Sequence, residues 1–321
     1  MIRTPAGARP AVTARPVAGA ASLHAPGIAR VARVAGLARV ARDHLALTKP
    51  KVALLLVAVG VVAARVADAS IATLDLVTFA LLGYLAAGGA AAVNHVADRH
   101  LDARMARTRN RPVASGRVGV RSALTFAATS LTLGVGGALL LHGPAVAAWT
   151  ALGALTYGGL YTFVLKRRTH HNIVIGGLAG SCGALAGWAL ADPGLAPGAW
   201  LLAAWVFLWT PPHFWGLAIA RDADYRAARV PMLPQVRGLA ATCRAIALYA
   251  LASLAASLAL GAATPLGGRY LVAAALLGTG FTLLTARLWH APTPRLALWT
   301  FKLSGAYLAL LLVAMVVDLG S

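Results

Sequence analysis

The chain has 321 residues, of which 59% are hydrophobic and 12% charged, and its mean hydropathy is +0.73. A soluble domain carries about 25% charged residues, so this composition excludes a soluble globular enzyme and points to an all-α polytopic membrane protein. The net charge is +20, but the basic residues gather in a few loops, which argues against nucleic acid as a partner.

Residues 1–44 are rich in Ala, Arg, Pro and Gly, with no acid before Asp43. They lack the continuous apolar run of a secretory signal. The expected organisation is a basic extension, disordered or lying on the membrane, followed by a membrane domain over 45–321. Ile28 to Arg42 suits a basic amphipathic helix on an anionic membrane face. An Arg-rich, acid-free start also resembles a mitochondrial transit peptide. The Ala/Arg/Gly bias of the whole chain favours a bacterial inner membrane protein instead.

Nine apolar stretches have the length of a membrane-crossing helix: 47–66, 71–95, 121–141, 144–165, 172–191, 198–219, 240–261, 269–288 and 297–318. Lys and Arg cluster after the second, fourth, sixth and eighth. The opposite connections are short and almost free of them. Under the positive-inside rule the N-terminus is cytoplasmic and the C-terminus outside.

The acids are all aspartates: Asp43, Asp68, Asp75, Asp98, Asp102, Asp192, Asp222, Asp224 and Asp318. Four fall in two clusters on the cytoplasmic side. The first lies in residues 94–112, NHVADRHLDARMARTRNRP. Asn94, Asp98 and Asp102 are spaced i, i+4, i+8, which stacks their oxygens on one helix face. Asp98 and Asp102 suit a hard cation such as Mg²⁺, which typically takes one or two carboxylates and completes its shell with phosphate oxygens. Arg104, Arg107, Arg109 and Arg111 follow, and arginine suits phosphate. The same spacing also suits a basic loop whose two aspartates balance charge.

Further on, Tyr157 and Tyr161 precede Lys166, Arg167 and Arg168. Three adjacent cations at a membrane surface anchor to anionic lipid or neutralise a departing diphosphate. The segment WTPPHFW, Trp209 to Trp215, leads into Arg221–Asp222–Ala223–Asp224–Tyr225 and then Val230–Pro231–Met232–Leu233–Pro234. His213 follows two prolines among aromatic residues and suits acid–base work; a hydrogen-bonded helix-end histidine is the plainer alternative. Tyr157, Tyr161 and Trp209 are candidates to face a cation. Cys182 and Cys243 are far apart in apolar runs and suit packing rather than metal binding. The same holds for His170 and His171, which are adjacent and do not share a helix face.

Four ordered motifs resemble the protohaem IX farnesyltransferases, the haem O synthases of the UbiA-type membrane prenyltransferases. They are LTKP ending at Pro50, the Asn94–Pro112 motif, the Asn172–Gly177 run NIVIGG, and WTPPHFW with its DY and PMLP sequel. The chain departs from the pattern at His100, where an aspartate is common, and at His170–His171, where Pro-Gln is usual. Its DxD at Asp222–Asp224 is tighter than the usual DxxxD.

The resemblance implies a nine-helix UbiA-type bundle that moves farnesyl from farnesyl diphosphate to a vinyl group of haem B, with water addition. It implies Mg²⁺ on Asp98 and Asp102, with Asn94 assisting, and on Asp222 and Asp224. It implies diphosphate on Arg107, Arg111, Lys166 and Arg167, and His213 on the haem side. Membrane lipid and a haem A-forming enzyme are the expected neighbours. Rival readings are a prenyltransferase with an aromatic or quinone-precursor acceptor, and a non-catalytic transporter or haem-handling protein.

Overall fold

A computed structural model describes residues 25–320. Helix α1 (Ala25–Leu47) is followed by α2 (Pro50–Ala67), α3 (Thr73–Ala97), α4 (Arg99–Asp102), α5 (Val120–His142) and α6 (Pro144–Ala154). A π-helix, Leu155–Leu165, continues α6. Then come α7 (Lys166–Arg168), α8 (Asn172–Gly176), α9 (Leu178–Ala191), α10 (Pro197–Ala220), α11 (Asp222–Ala227), α12 (Leu233–Ala262), α13 (Gly268–His290) and α14 (Pro294–Leu319). No strand occurs among the described residues.

The chain divides into two units, Met1–Arg42 and Asp43–Ser321. Residues 1–24 of the expected extension lie outside the described residues. The expected helix over 28–42 falls within α1.

Seven helical segments among the described residues are long and apolar enough to cross a membrane: α2, α3, α5, Asn172–Ala191, α12, α13 and α14. The other two expected stretches differ for separate reasons. Residues 144–165 are divided between α6 and the π-helix. Helix α10 is long enough, at 24 residues, but Trp205, Trp209, Pro211, Pro212 and His213 dilute its apolarity. It needs less because it is interior: it packs against α9, α12 and α14. Trp205 is fully buried there and donates to Tyr307 Oη at 3.1 Å.

Small residues set the spacing on the other side, where α2 packs on α9. A Cβ on Gly187 would lie 1.9 Å from the Gly60 carbonyl oxygen, so only glycine permits this crossing. Aspartates away from the candidate site serve locally. Asp68 accepts from Ser70, Asp192 from Trp188, Gly194 and Ala196, and Asp318 from the backbone N–H groups of Gly267 and Tyr270. Asp43 pairs with Arg117.

Candidate active site

The first acidic motif sits where α3 ends. Asp98 has φ −91° and ψ 5°, so the helix breaks there. The ladder nonetheless continues: Asp98 N donates to Asn94 O at 2.9 Å and Asp102 N to Asp98 O at 2.7 Å. The i, i+4, i+8 register therefore survives the break. All three side chains are buried, with exposures of 2%, 0% and 1% for Asn94, Asp98 and Asp102.

Buried carboxylates need partners, and cations supply them. Lys166 and Asn94 both donate to Asp98 Oδ2, the latter at 2.9 Å, and Arg167 lies 3.5 Å from Oδ1. Arg111 reaches both oxygens of Asp102, at 3.0 and 2.9 Å. Thr108 donates to the Asp102 carbonyl, folding the arginine loop back over the helix end.

The second acidic motif meets the first. Asp224 Oδ1 accepts from Ala106 N at 3.3 Å, and Arg107, Arg221, Asp222 and Asp224 line one polar depression. Asp222 is engaged elsewhere, accepting from Arg226 and Gln235 at 2.6 Å each. Arg107 donates to the phenol of Tyr225, which burial pushes up. Among the described residues no three His, Cys or Asp side chains form a ready metal cage. Separate carboxylates, all oxygen donors and already surrounded by arginine and lysine side chains, fit Mg²⁺ that completes its shell with phosphate oxygens.

Lys49 joins this charged cluster to an apolar cavity. It precedes α2 in a left-handed conformation, φ 51° and ψ 61°, uncommon for a side chain with a Cβ. Its Nζ donates to Asn94 Oδ1 at 2.6 Å and to Tyr157 Oη at 2.7 Å. Lys49 and Tyr157 also line a cavity of about 400 Å³ walled by α2, α3, α6, α9 and α10. Gly176, Gly177, Gly180 and Gly183 form one wall, where missing side chains leave room.

The π-helix shapes the junction. In an α-helix, residues five apart point ~140° away from each other; the i→i+5 ladder brings them over one another. Thr162 accordingly donates to Tyr157 O at 2.7 Å and accepts from Asn94 Nδ2 at 3.0 Å, while Tyr157 and Tyr161 stack at 5.8 Å.

His213 lines the cavity rather than ending a helix. It stacks on Trp209 with centroids 4.6 Å apart, and its Nδ1 lies 2.7 Å from Ser304 Oγ. Ser304 Oγ also lies 2.8 Å from Phe301 O, so its hydroxyl bridges His213 and that carbonyl.

The structure thus joins Asn94, Asp98, Asp102, Arg111, Lys166 and Arg167 in one cluster, sets Arg107 and Asp224 against its loop, and places His213 along the cavity. Sequence reasoning gave Lys49 no more than its place in the LTKP motif and missed Thr162. It also missed His95, 2% exposed beside Asn94, with no protein partner for either ring nitrogen. The LTKP motif signalled Lys49; nothing in the sequence marked the other two.

A buried ionic cluster joined through Lys49 to an apolar cavity suits a membrane enzyme of the prenyl-transferring class. The chain belongs to the UbiA prenyltransferase family, which matches residues 53–313. The protoheme IX farnesyltransferase of Azotobacter vinelandii (strain DJ / ATCC BAA-1303) is 46% identical over 279 residues, covering 86% of this chain and 93% of that one. The protein of the same name from Legionella pneumophila (strain Lens) is 43% identical over 278 residues, covering 86% and 95%. The fold is shared with a UbiA homolog from Archaeoglobus fulgidus bound to GPP and Mg²⁺, at TM-score 0.66 and 13% identity, covering 87% of this chain and 100% of that one.

Proposed function

We propose that this chain is a haem O synthase. It transfers farnesyl from farnesyl diphosphate to a vinyl group of haem B, adds water and releases diphosphate. The observation that carries the reading is the continuous path from Asp98 through Asn94 to Lys49 and Tyr157 at the mouth of the apolar cavity. The names of the relatives, at 46% and 43% identity, supply the acceptor.

Each group has a role in this reading. Asp98 and Asp102 hold one Mg²⁺, with Asn94 assisting. Asp222 and Asp224 form the second metal end, Asp222 by releasing Arg226 or Gln235. When bound, Mg²⁺ spreads the negative charge that grows on the leaving diphosphate. Arg107, Arg111, Lys166 and Arg167 bind the diphosphate and stabilise it as the C–O bond breaks. Tyr157, Tyr161 and Trp209 turn aromatic faces toward the allylic cation, at about 0.5–2 kcal/mol each. The haem vinyl group attacks that cation. His213 Nε2 takes the proton lost by the water that completes the hydroxyethylfarnesyl side chain. The catalytic domain is 45–321, with 1–44 as an extension, and the site faces the bacterial cytoplasm, where diphosphates are made.

The test is purified protein in detergent with Mg²⁺, haem B and farnesyl diphosphate, read by mass, with 4-hydroxybenzoate as a competing acceptor. Haem O that disappears with EDTA is the expected result. Prenylated 4-hydroxybenzoate alone would move the chain to another branch of the family. No product from a sample that binds haem would favour transport.

A further inference from the structure

The cavity has a floor, and its depth matches one hydrocarbon length. Its mouth is set by Lys49 and Tyr157. Toward the opposite face the lining stops at Val59 on α2, Phe79 on α3, Trp149 on α6, Ala186 on α9 and Val206 on α10. Every one of these helices continues for several more residues without lining it. Counting from Lys49 to Val59, or from Gly176 to Ala186, the depth is ~15 Å at 1.5 Å per helical residue. A farnesyl main chain of twelve carbons extends ~14 Å, since zigzag bonds of ~1.5 Å advance ~1.25 Å each. One further isoprene unit would overrun the floor by several ångströms.

Phe79 and Trp149 are the two large side chains of that floor, and Phe79 closes its α3 side. It is 5% exposed and belongs to a cluster with Ala138, Val146, Ala147, Ala186 and Ala189, all smaller than itself. Its ring is pinned from α2, where a Cβ on Gly60 would lie 2.8 Å from Cε1 and Cζ. From α5 the ring of His142 meets it edge-on at 6.5 Å. A ring held on two sides cannot swing away to admit a longer chain. One helical turn nearer the mouth, Gly83 also lines the cavity, and a Cβ there would meet only Val57 Cγ2, at an ordinary 3.7 Å.

We infer that Phe79 is the residue that measures the prenyl chain, and that the empty position at Gly83 is what lets a third isoprene unit in. This inference rests on the proposed prenyl-diphosphate site and adds its length selectivity. It requires opposite shifts from two substitutions. Phe79→Ala should open the floor into the small-residue cluster and raise use of geranylgeranyl over farnesyl diphosphate at least about tenfold. Gly83→Leu should fill the cavity ~6 Å nearer the mouth and shift preference to geranyl diphosphate by a similar factor.

The experiment gives wild-type and variant proteins geranyl, farnesyl and geranylgeranyl diphosphate in competition with haem B and Mg²⁺, with products separated by mass. Thermal stabilisation by each diphosphate is measured alongside as a readout independent of turnover. Both shifts, in opposite directions, are expected. Stable variants that keep the wild-type ranking in both readouts would overturn the inference. If one variant does not fold, the other decides alone. Stabilisation by prenyl diphosphates without haem O from the wild type would overturn the acceptor assignment and leave the length rule standing or falling on the binding order.

Discussion

Gly187→Ala tests whether the active site depends on a helix crossing that contributes no residue to it. Gly187 is absent from the cavity wall, so the effect must travel through packing. The added Cβ would lie 1.9 Å from Gly60 O and 2.4 Å from Gly60 C. Both are backbone atoms, so no side chain can rotate away. Reaching an ordinary contact of 3.4 Å needs roughly 1.5 Å of separation between α2 and α9. Overpacking of this kind costs about 1–3 kcal/mol, and a backbone clash belongs at the upper end. A shift of about 1 Å in a positioning element lowers turnover by about a hundredfold, and α2 carries part of the cavity wall. Thermal unfolding in detergent and kcat/KM are the assays. Gly280→Ala is the control, because a Cβ there meets nothing within 4 Å. Unfolding temperature and kcat/KM both equal to the control would refute the close crossing.

Other substitutions separate the roles within the site. Asp98→Asn leaves Lys166, 12% exposed, without its buried counter-charge. It should cost about 3 kcal/mol of stability and abolish Mg²⁺-dependent transfer, measured as haem O formed with and without EDTA. Arg111→Lys keeps the charge but loses the double contact to Asp102. The KM for farnesyl diphosphate should rise about tenfold, and an unchanged KM would remove Arg111 from the diphosphate site. Lys49→Met removes the donor to Asn94 and Tyr157. Prenyl diphosphate binding by calorimetry should weaken about tenfold. His213→Phe keeps a ring against Trp209 but loses Nε2; binding of farnesyl diphosphate should persist while haem O formation drops about a hundredfold.

The charged half of the site was legible because its signals are local. Asn94, Asp98 and Asp102 are spaced by the helix repeat, and cations flank both acidic clusters. The cavity was not legible. It is lined mostly by Ala, Gly, Val and Leu on helices that are apolar nearly all round, and such helices show no periodic face that marks an interior wall. The fourth expected span read as uniform hydrophobicity because an α- and a π-helix have the same composition. Helix α10 has the length expected of the sixth span, but its Trp, Pro and His content keeps it out of the seven apolar segments. Lys49 remained ambiguous because a lysine at a helix start reads as snorkelling unless its backbone angle is known. The contact between Asp224 and Ala106 joins residues far apart in sequence and leaves no local trace.

The π-helical segment makes chain length matter as much as side-chain identity between Leu155 and Leu165. Its ladder holds one residue more per turn than the α-helices around it. Deleting a single residue would let the segment relax toward the α repeat and change the register of everything beyond it against α3. Thr162 would leave Asn94, and Lys166 would be carried away from Asp98. A substitution at the lipid-facing Leu155 or Phe163, both exposed, disturbs none of these contacts. Variation should therefore be accepted at the exposed positions of this stretch, while gaps are refused throughout it.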